Sequence, residues 1–135
     1  MSRPVRDLNE LLRTLHALRH EGVYVFCLLP PQYDMGTLPA IGTFREEEGW
    51  TAILEERAAA ALGLTAMFRA EWITLTVHSD FEAVGMTAAV AAALTEVGIS
   101  CNVVAAVHHD HLFVPVGQGE AALAALARLQ SAREA

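Results

Sequence analysis

Three histidines and an aspartate occupy four consecutive positions, His108-His109-Asp110-His111, between the apolar runs of VHHDHLFVPV (residues 107–116). Imidazole and carboxylate groups ligate transition metals and move protons near neutral pH, so this is the densest collection of reactive side chains in the chain. A second candidate is SDFEAVGMTAAV (79–90), where Gly85 lets backbone approach a ligand and the N–H groups opening the next helix suit a carboxylate. In that stretch Asp80 is an acceptor for an α-ammonium group and equally a plain helix N-cap, while Met86 suits helix packing as well as a ligand. Cys27 and Cys101 each lie in an apolar strand-like run without CxxC or Cys/His spacing, and read as core thiols.

The elements that must position these residues follow from periodicity. DLNELLRTLHALRH (7–20) carries Leu8, Leu11, Leu12, Leu15 and Leu18 at helical spacing and predicts a helix. VYVFCLL (23–29) predicts a buried strand stopped by Pro30-Pro31, and residues 32–42 a loop. TFREEEGWTAIL predicts a hairpin turning at Gly49, with Glu46-Glu47-Glu48 as a solvated charge run, and RAAAALGL a short helix. EWITLTVH (71–78) alternates as a strand and 79–98 is loop then helix. ISCNVVAAV and LFVPV are strands, and GEAALAALARLQ (119–130) is a final helix.

An internal echo joins LHALRHEGVYVF (15–26) to AALTEVGISCNV (92–103), at an offset of 98 − 22 = 76 between Gly22 and Gly98. The element orders αββα and βαββα then read as two ferredoxin-like βαββαβ units, the first short of its opening strand and the second of its closing one.

At 135 residues, 53% of them hydrophobic, the chain has enough apolar surface for one domain or two very small ones sharing a core. Sixteen acidic against nine basic residues, with no basic stripe, argue against a nucleic-acid partner. Apolar runs break well before the roughly 18 residues of a membrane span. No signal-like apolar segment opens the sequence, so the expected location is cytoplasmic, away from membranes.

Strand alternation in the second half separates two faces. Ile73, Leu75, Val77, Ile99, Cys101, Val103, Ala105, Val107, Leu112, Val114 and Val116 form an apolar face expected under the helices. Trp72, Thr74, Thr76, His78, Ser100, Asn102, Val104, Ala106, His108, His111, Phe113 and Pro115 share the mixed opposite face, which suggests a packing surface for another sheet or subunit, Phe113 included. With His109-Asp110 at the centre of a tight turn, His108 and His111 would be cross-strand neighbours within reach of one ion. A βαββαβ unit taken with its first and third strands parallel puts His78 at the opposite end of the sheet from His111, and the histidines away from the 79–87 loop. On that topology a polar hairpin tip is preferred to a metal site.

The phrases FREEEGWTAIL, VHSDFEAVGMTAAV and GISCNVVAAVHHDHLFVP together resemble the ACT domain, and across nearly the whole chain a family of small stand-alone bacterial ACT-domain proteins, closest to the aspartokinase-like branch. The resemblance implies an α+β fold: two ferredoxin-like βαββαβ, ACT-like units side by side, with a largely antiparallel sheet and helices on one face. It divides the chain into an N-terminal ACT-like half (1–66) and a C-terminal ACT domain (67–135). It also implies a non-catalytic regulatory or sensing module that binds a small molecule, in the first place an amino acid, and needs no cofactor or resident metal. The implied ligand residues are Asp80, Val84, Gly85, Met86 and Thr87 on the loop, with Ser100 and Asn102 on the second strand of a neighbouring unit. Phe81 to Gly85 stand where common ACT domains carry a Pro-Gly pair, and the first half, which opens on its helix, has no matching loop, so at most one such site per chain is expected. A homo-oligomer, in the first place a dimer, goes with this reading. The alternatives are an interaction module without ligand and a metal protein using His108 to His111.

Overall fold

The computed structural model describes residues 8–76 and 85–132. The elements run α1 (Leu8–Arg13), β1 (His16–Arg19), β2 (Tyr24–Leu29), a 3₁₀ turn (Met35–Thr37), β3 (Gly42–Arg45), β4 (Trp50–Glu55) and α2 (Glu56–Ala61). They continue through β5 (Ala66–Thr76), α3 (Met86–Glu96), β6 (Asn102–Ala105), β7 (Asp110–Pro115) and α4 (Gly119–Ser131). Two compact units result: a central one, residues 21–71, and a flanking one built from residues 1–20 and 72–135. The long strand β5 crosses the boundary, giving Ala66–Glu71 to the central unit and the rest to the flanking unit.

The central unit has the strand order β3-β4-β2-β5, its neighbouring strands antiparallel. That is the ferredoxin arrangement with β2 as first strand and β5 as fourth. The unit does not lack its opening strand, as the element count suggested; it lacks its first helix. Pro30, Pro31 and Pro39 deny the 30–41 segment a continuous N–H ladder, and only the 3₁₀ turn forms, capped by the Asp34 carboxylate accepting from Gly36 N–H. Val25, Cys27, Leu29, Ala52, Leu54 and Ala59 form its core. The predicted β3–β4 hairpin is present, with Glu46 N–H donating to Gly49 O at 2.8 Å. Gly49 has φ +150°, and a Cβ there would lie 2.2 Å from the Leu29 carbonyl oxygen, so only glycine fits where the turn presses on β2.

In the flanking unit the predicted 7–20 helix stops at Arg13. The Thr14 hydroxyl donates to Leu11 O at 2.8 Å, drawing off a carbonyl of the last turn, and His16–Arg19 instead pair antiparallel with Thr76–Ile73. The leucine periodicity is real only to Leu15: Leu11, Leu12 and Leu15 are buried, whereas Leu18 is 54% exposed. The strand order β1-β5-β7-β6 is the ferredoxin arrangement again, with β1 from the start of the chain serving as the closing strand that the second half lacks. The echo therefore joins unlike elements, since Gly22 follows a strand and Gly98 a helix.

The apolar face is as predicted along the middle of the strands but not at their ends: Ala105, Val107 and Val116 are exposed where the chain leaves the helices' cover, and Val77 lies outside the described residues. Leu12, Leu15, Ile73, Leu75, Met86, Val90, Leu94, Ile99, Leu112, Val114, Ala122, Ala125 and Leu126 form one core between the strands and the helices α1, α3 and α4, with Cys101 and Val103 packed against it. Each fully buried Leu or Val contributes about 1.5–3 kcal/mol of hydrophobic stabilisation.

Candidate functional site

The mixed face of the flanking unit gathers more polar chemistry than its sequence promised. Thr76 meets His109, Thr74 and Trp72 meet His111, and Trp72 stacks towards Phe113, so β7 descends as β5 ascends and the two strands are antiparallel. This overturns the parallel reading of the first and third strands. The hairpin tip lies at the end of the sheet where β5 finishes and the chain departs towards α3, not at the opposite end. His78 lies outside the described residues.

The hairpin register also differs from expectation. Val104 faces His111 and Ala105 faces Asp110, and Ala106 N–H donates to His109 O at 3.0 Å, so Val107-His108 form the turn centre in place of His109-Asp110. His108 is consequently not the cross-strand neighbour of His111. The turn centre moves by two residues and the partner of His111 by four, and an even shift keeps every side chain on its face, so alternation cannot choose between the two registers. The observed one sets Leu112 opposite Val103, against the core, and leaves Val107 79% exposed in the turn.

What converges is a cluster contributed by three strands. His20, just past β1, stacks on Trp72 with ring centroids 3.6 Å apart and planes 12° from parallel. Its Nε2 lies 2.7 Å from Thr74 Oγ1, which in turn lies 3.1 Å from His111 Nδ1. The Trp72 indole N–H donates to the same Nδ1 at 3.1 Å, and Thr76 Oγ1 lies 3.1 Å from His109 Nδ1. Burial, and then the neighbouring His111, lowers the pKa of His20 from its ordinary value. Burial lowers that of His111 too, reinforced by His109 and opposed by Asp110. Burial raises the Asp110 carboxyl, against the pull of His111. Among the described residues no three His, Cys, Asp or Glu side chains are grouped to hold a metal ion. Phe113 is buried within the chain at 2% exposure, so it is not the exposed contact residue that the face pattern suggested. Sequence reasoning missed His20 because it stood in a predicted helix.

The loop residues fare separately. Asp80 and Val84 lie outside the described residues. Gly85 sits immediately before α3 with φ +91°, a left-handed N-cap without a capping side chain. Met86 is buried in the core, so its side chain packs while its backbone begins the helix; Thr87 is exposed. Ser100 and Asn102 are also exposed, Asn102 facing Phe113 across the β6–β7 ladder. Because α3 runs back along the sheet, Gly85 and Asn102 fall at opposite ends of the flanking unit, and one unit does not bring the seven residues together. Both thiols, Cys27 and Cys101, are free and pushed up in pKa by burial, as inert core cysteines are.

Comparison with known proteins accounts for this architecture. An ACT-domain family model matches residues 3–71 and a second ACT-domain model matches residues 68–128. The chain belongs to the ACT-domain family and contains two ferredoxin-like ACT units. It is similar to a Vibrio cholerae protein of unknown function, a possible transport protein, at 42% identity over 93% of this chain and 98% of that one, with TM-score 0.84. Aspartate kinase from Clostridium acetobutylicum shares the fold at 6% identity and TM-score 0.62, over 85% of this chain and 34% of the kinase. The regulatory subunit of aspartate kinase from Thermus flavus shares it at 12% identity and TM-score 0.50, over 86% of this chain and 96% of that one. A search of curated proteins by sequence returns no match. ACT domains are typically regulatory modules for small molecules. Among the described residues no helix is long and apolar enough to cross a membrane.

Proposed function

We propose that this protein is a non-catalytic sensing module that binds an amino acid and passes the signal to another chain. The observation that carries the reading is the pair of ACT-domain matches, which together run from residue 3 to residue 128. The ligand carboxylate is received by the first free N–H groups of α3, made approachable by Gly85, and the α-ammonium group by Asp80. Val84, Met86 and Thr87 complete the loop side, the last two through their backbone and its hydroxyl. Ser100 and Asn102 come from a second ACT unit, because within one unit Asn102 lies at the far end of the sheet from Gly85. A cytoplasmic homodimer with halves 1–66 and 67–135 as its sequence modules fits this arrangement, and no cofactor takes part.

Thermal denaturation against each of the twenty amino acids tests the reading. A ligand at one hundred times its Kd stabilises the fold by about 2.7 kcal/mol, so one or a few amino acids should raise Tm and the D80A and N102A variants should lose the response. No shift with any amino acid at millimolar concentration refutes it.

A further inference from the structure

We propose that Trp72, Thr74, His111 and His20 form a proton-operated latch on the mixed face of the flanking unit, closed while His111 Nδ1 is bare and opened when that nitrogen takes up a proton. The argument begins with the indole, which can only donate. Since Trp72 Nε1 lies 3.1 Å from His111 Nδ1, that nitrogen must be the acceptor, and the neutral ring carries its single proton on Nε2. The next proton can then go only to Nδ1, the atom that already receives the indole N–H. Thr74 can reverse its hydroxyl and accept from a protonated Nδ1, but Trp72 cannot, so charging His111 expels the indole.

The same hydroxyl links the second histidine. With His111 neutral, a chain of donors runs from His20 Nε2–H to Thr74 Oγ1 and from the Thr74 hydroxyl to His111 Nδ1. Reversal of the hydroxyl turns the donor towards His20 Nε2 and shifts that ring to its other tautomer, so one proton on His111 is registered at β1 as well as at β5.

The groups facing the latch disfavour a charge on His111. β1 presents His16 and His20; the described part of β5 presents Trp72, Thr74 and Thr76, none of which titrates near neutrality; β6 presents Asn102 and Val104; and β7 presents His109 and Asp110, with His108 in the turn. Among the described residues every titratable partner apart from Asp110 is a histidine, so acidification adds like charge to a half-buried cluster. Burial, reinforced by His109 and opposed by Asp110, places the His111 transition below the ordinary histidine value. What the latch releases is the contact between β5 and the start of β7, next to the hairpin tip whose His109 meets Thr76 at the end of β5. The inference does not rest on amino-acid binding, so each reading can fail without the other.

The test follows the indole N–H resonance of Trp72 by ¹H–¹⁵N NMR from pH 8 to pH 5, in the full chain carrying W50F so that a single indole remains. A single transition with its midpoint below about 6.5, moving the resonance towards that of a water-bonded indole, is the expected result. H111N presents an acceptor oxygen that does not titrate and should abolish the transition, whereas T74V and H20Q should keep it. A resonance unchanged over this range, or a transition that persists in H111N, overturns the latch. If H111N does not reach the native fold, loss of the transition in T74V or H20Q overturns it and retention in both sustains it.

Discussion

The central and flanking units share a strand order and differ in what lies on the face away from their cores. In the central unit Leu28 and Phe44 flank Thr51 in register and stand 53% and 71% exposed, with Phe26 meeting Phe68 edge-on at 5.5 Å. In the flanking unit the corresponding face carries His20, Trp72, Thr74 and His111 in a closed set of hydrogen bonds. The hairpins differ in the same sense. One depends on a glycine pressed against β2, the other turns through Val107 and His108 with no glycine at all. One topology therefore accepts either an apolar or a hydrogen-bonded outer face, because the ladder fixes only which residues share a face. Side-chain chemistry decides what the face can do.

The largest expected effect breaks the flanking core: L112A removes a fully buried side chain beneath three helices and should cost about 3–4 kcal/mol in urea denaturation. Next, G49A should cost about 3 kcal/mol through the clash with the Leu29 carbonyl, whereas H108A, at the other turn, should stay within about 0.5 kcal/mol. Equal costs at the two turns would erase the contrast between the hairpins. W72F removes one donor and a stacked ring and should cost about 1 kcal/mol.

The pH dependence sharpens the same contrast. His20 and His111 have lowered pKa values in the folded state, so below the ordinary value near 6.5 the unfolded chain binds protons the native one refuses. Stability is unaffected by these groups above that pH, falls as pH drops towards the lowered values, and then levels off. Urea midpoints between pH 8 and pH 5 should show this decline, and the double variant H20Q/H111N should flatten it. The smallest effect is expected at E56Q, which breaks the exposed Arg69–Glu56 ion pair and should leave Tm almost unchanged at moderate salt.

Much of the fold was legible locally. The alternation of Ile73, Leu75, Leu112 and Val114 identified the buried face, and the Gly49 turn placed the first hairpin. The errors arose where two structures satisfy one pattern. Leu8 to Leu18 keep helical spacing, yet β1 begins at His16 because its backbone completes a ladder on β5, a partner more than fifty residues away. The β6–β7 register differs by four residues, His111 facing Val104 and not His108, because period-two alternation is blind to an even slip. His20 became a site residue only once β1 was a strand.

Local periodicity by itself determined an α+β chain with an apolar strand face and a histidine-rich hairpin, and the resemblance of whole phrases such as VHSDFEAVGMTAAV, not composition, pointed to the ACT type. Tertiary structure alone decided that the start of the chain closes the sheet of the second half, and that β7 runs antiparallel to β5. It also decided that His20, Trp72, Thr74 and His111 meet. Each of these depends on pairing between segments distant in sequence, where the gain from burying a shared core and completing backbone hydrogen bonds outweighs the preference any segment shows alone.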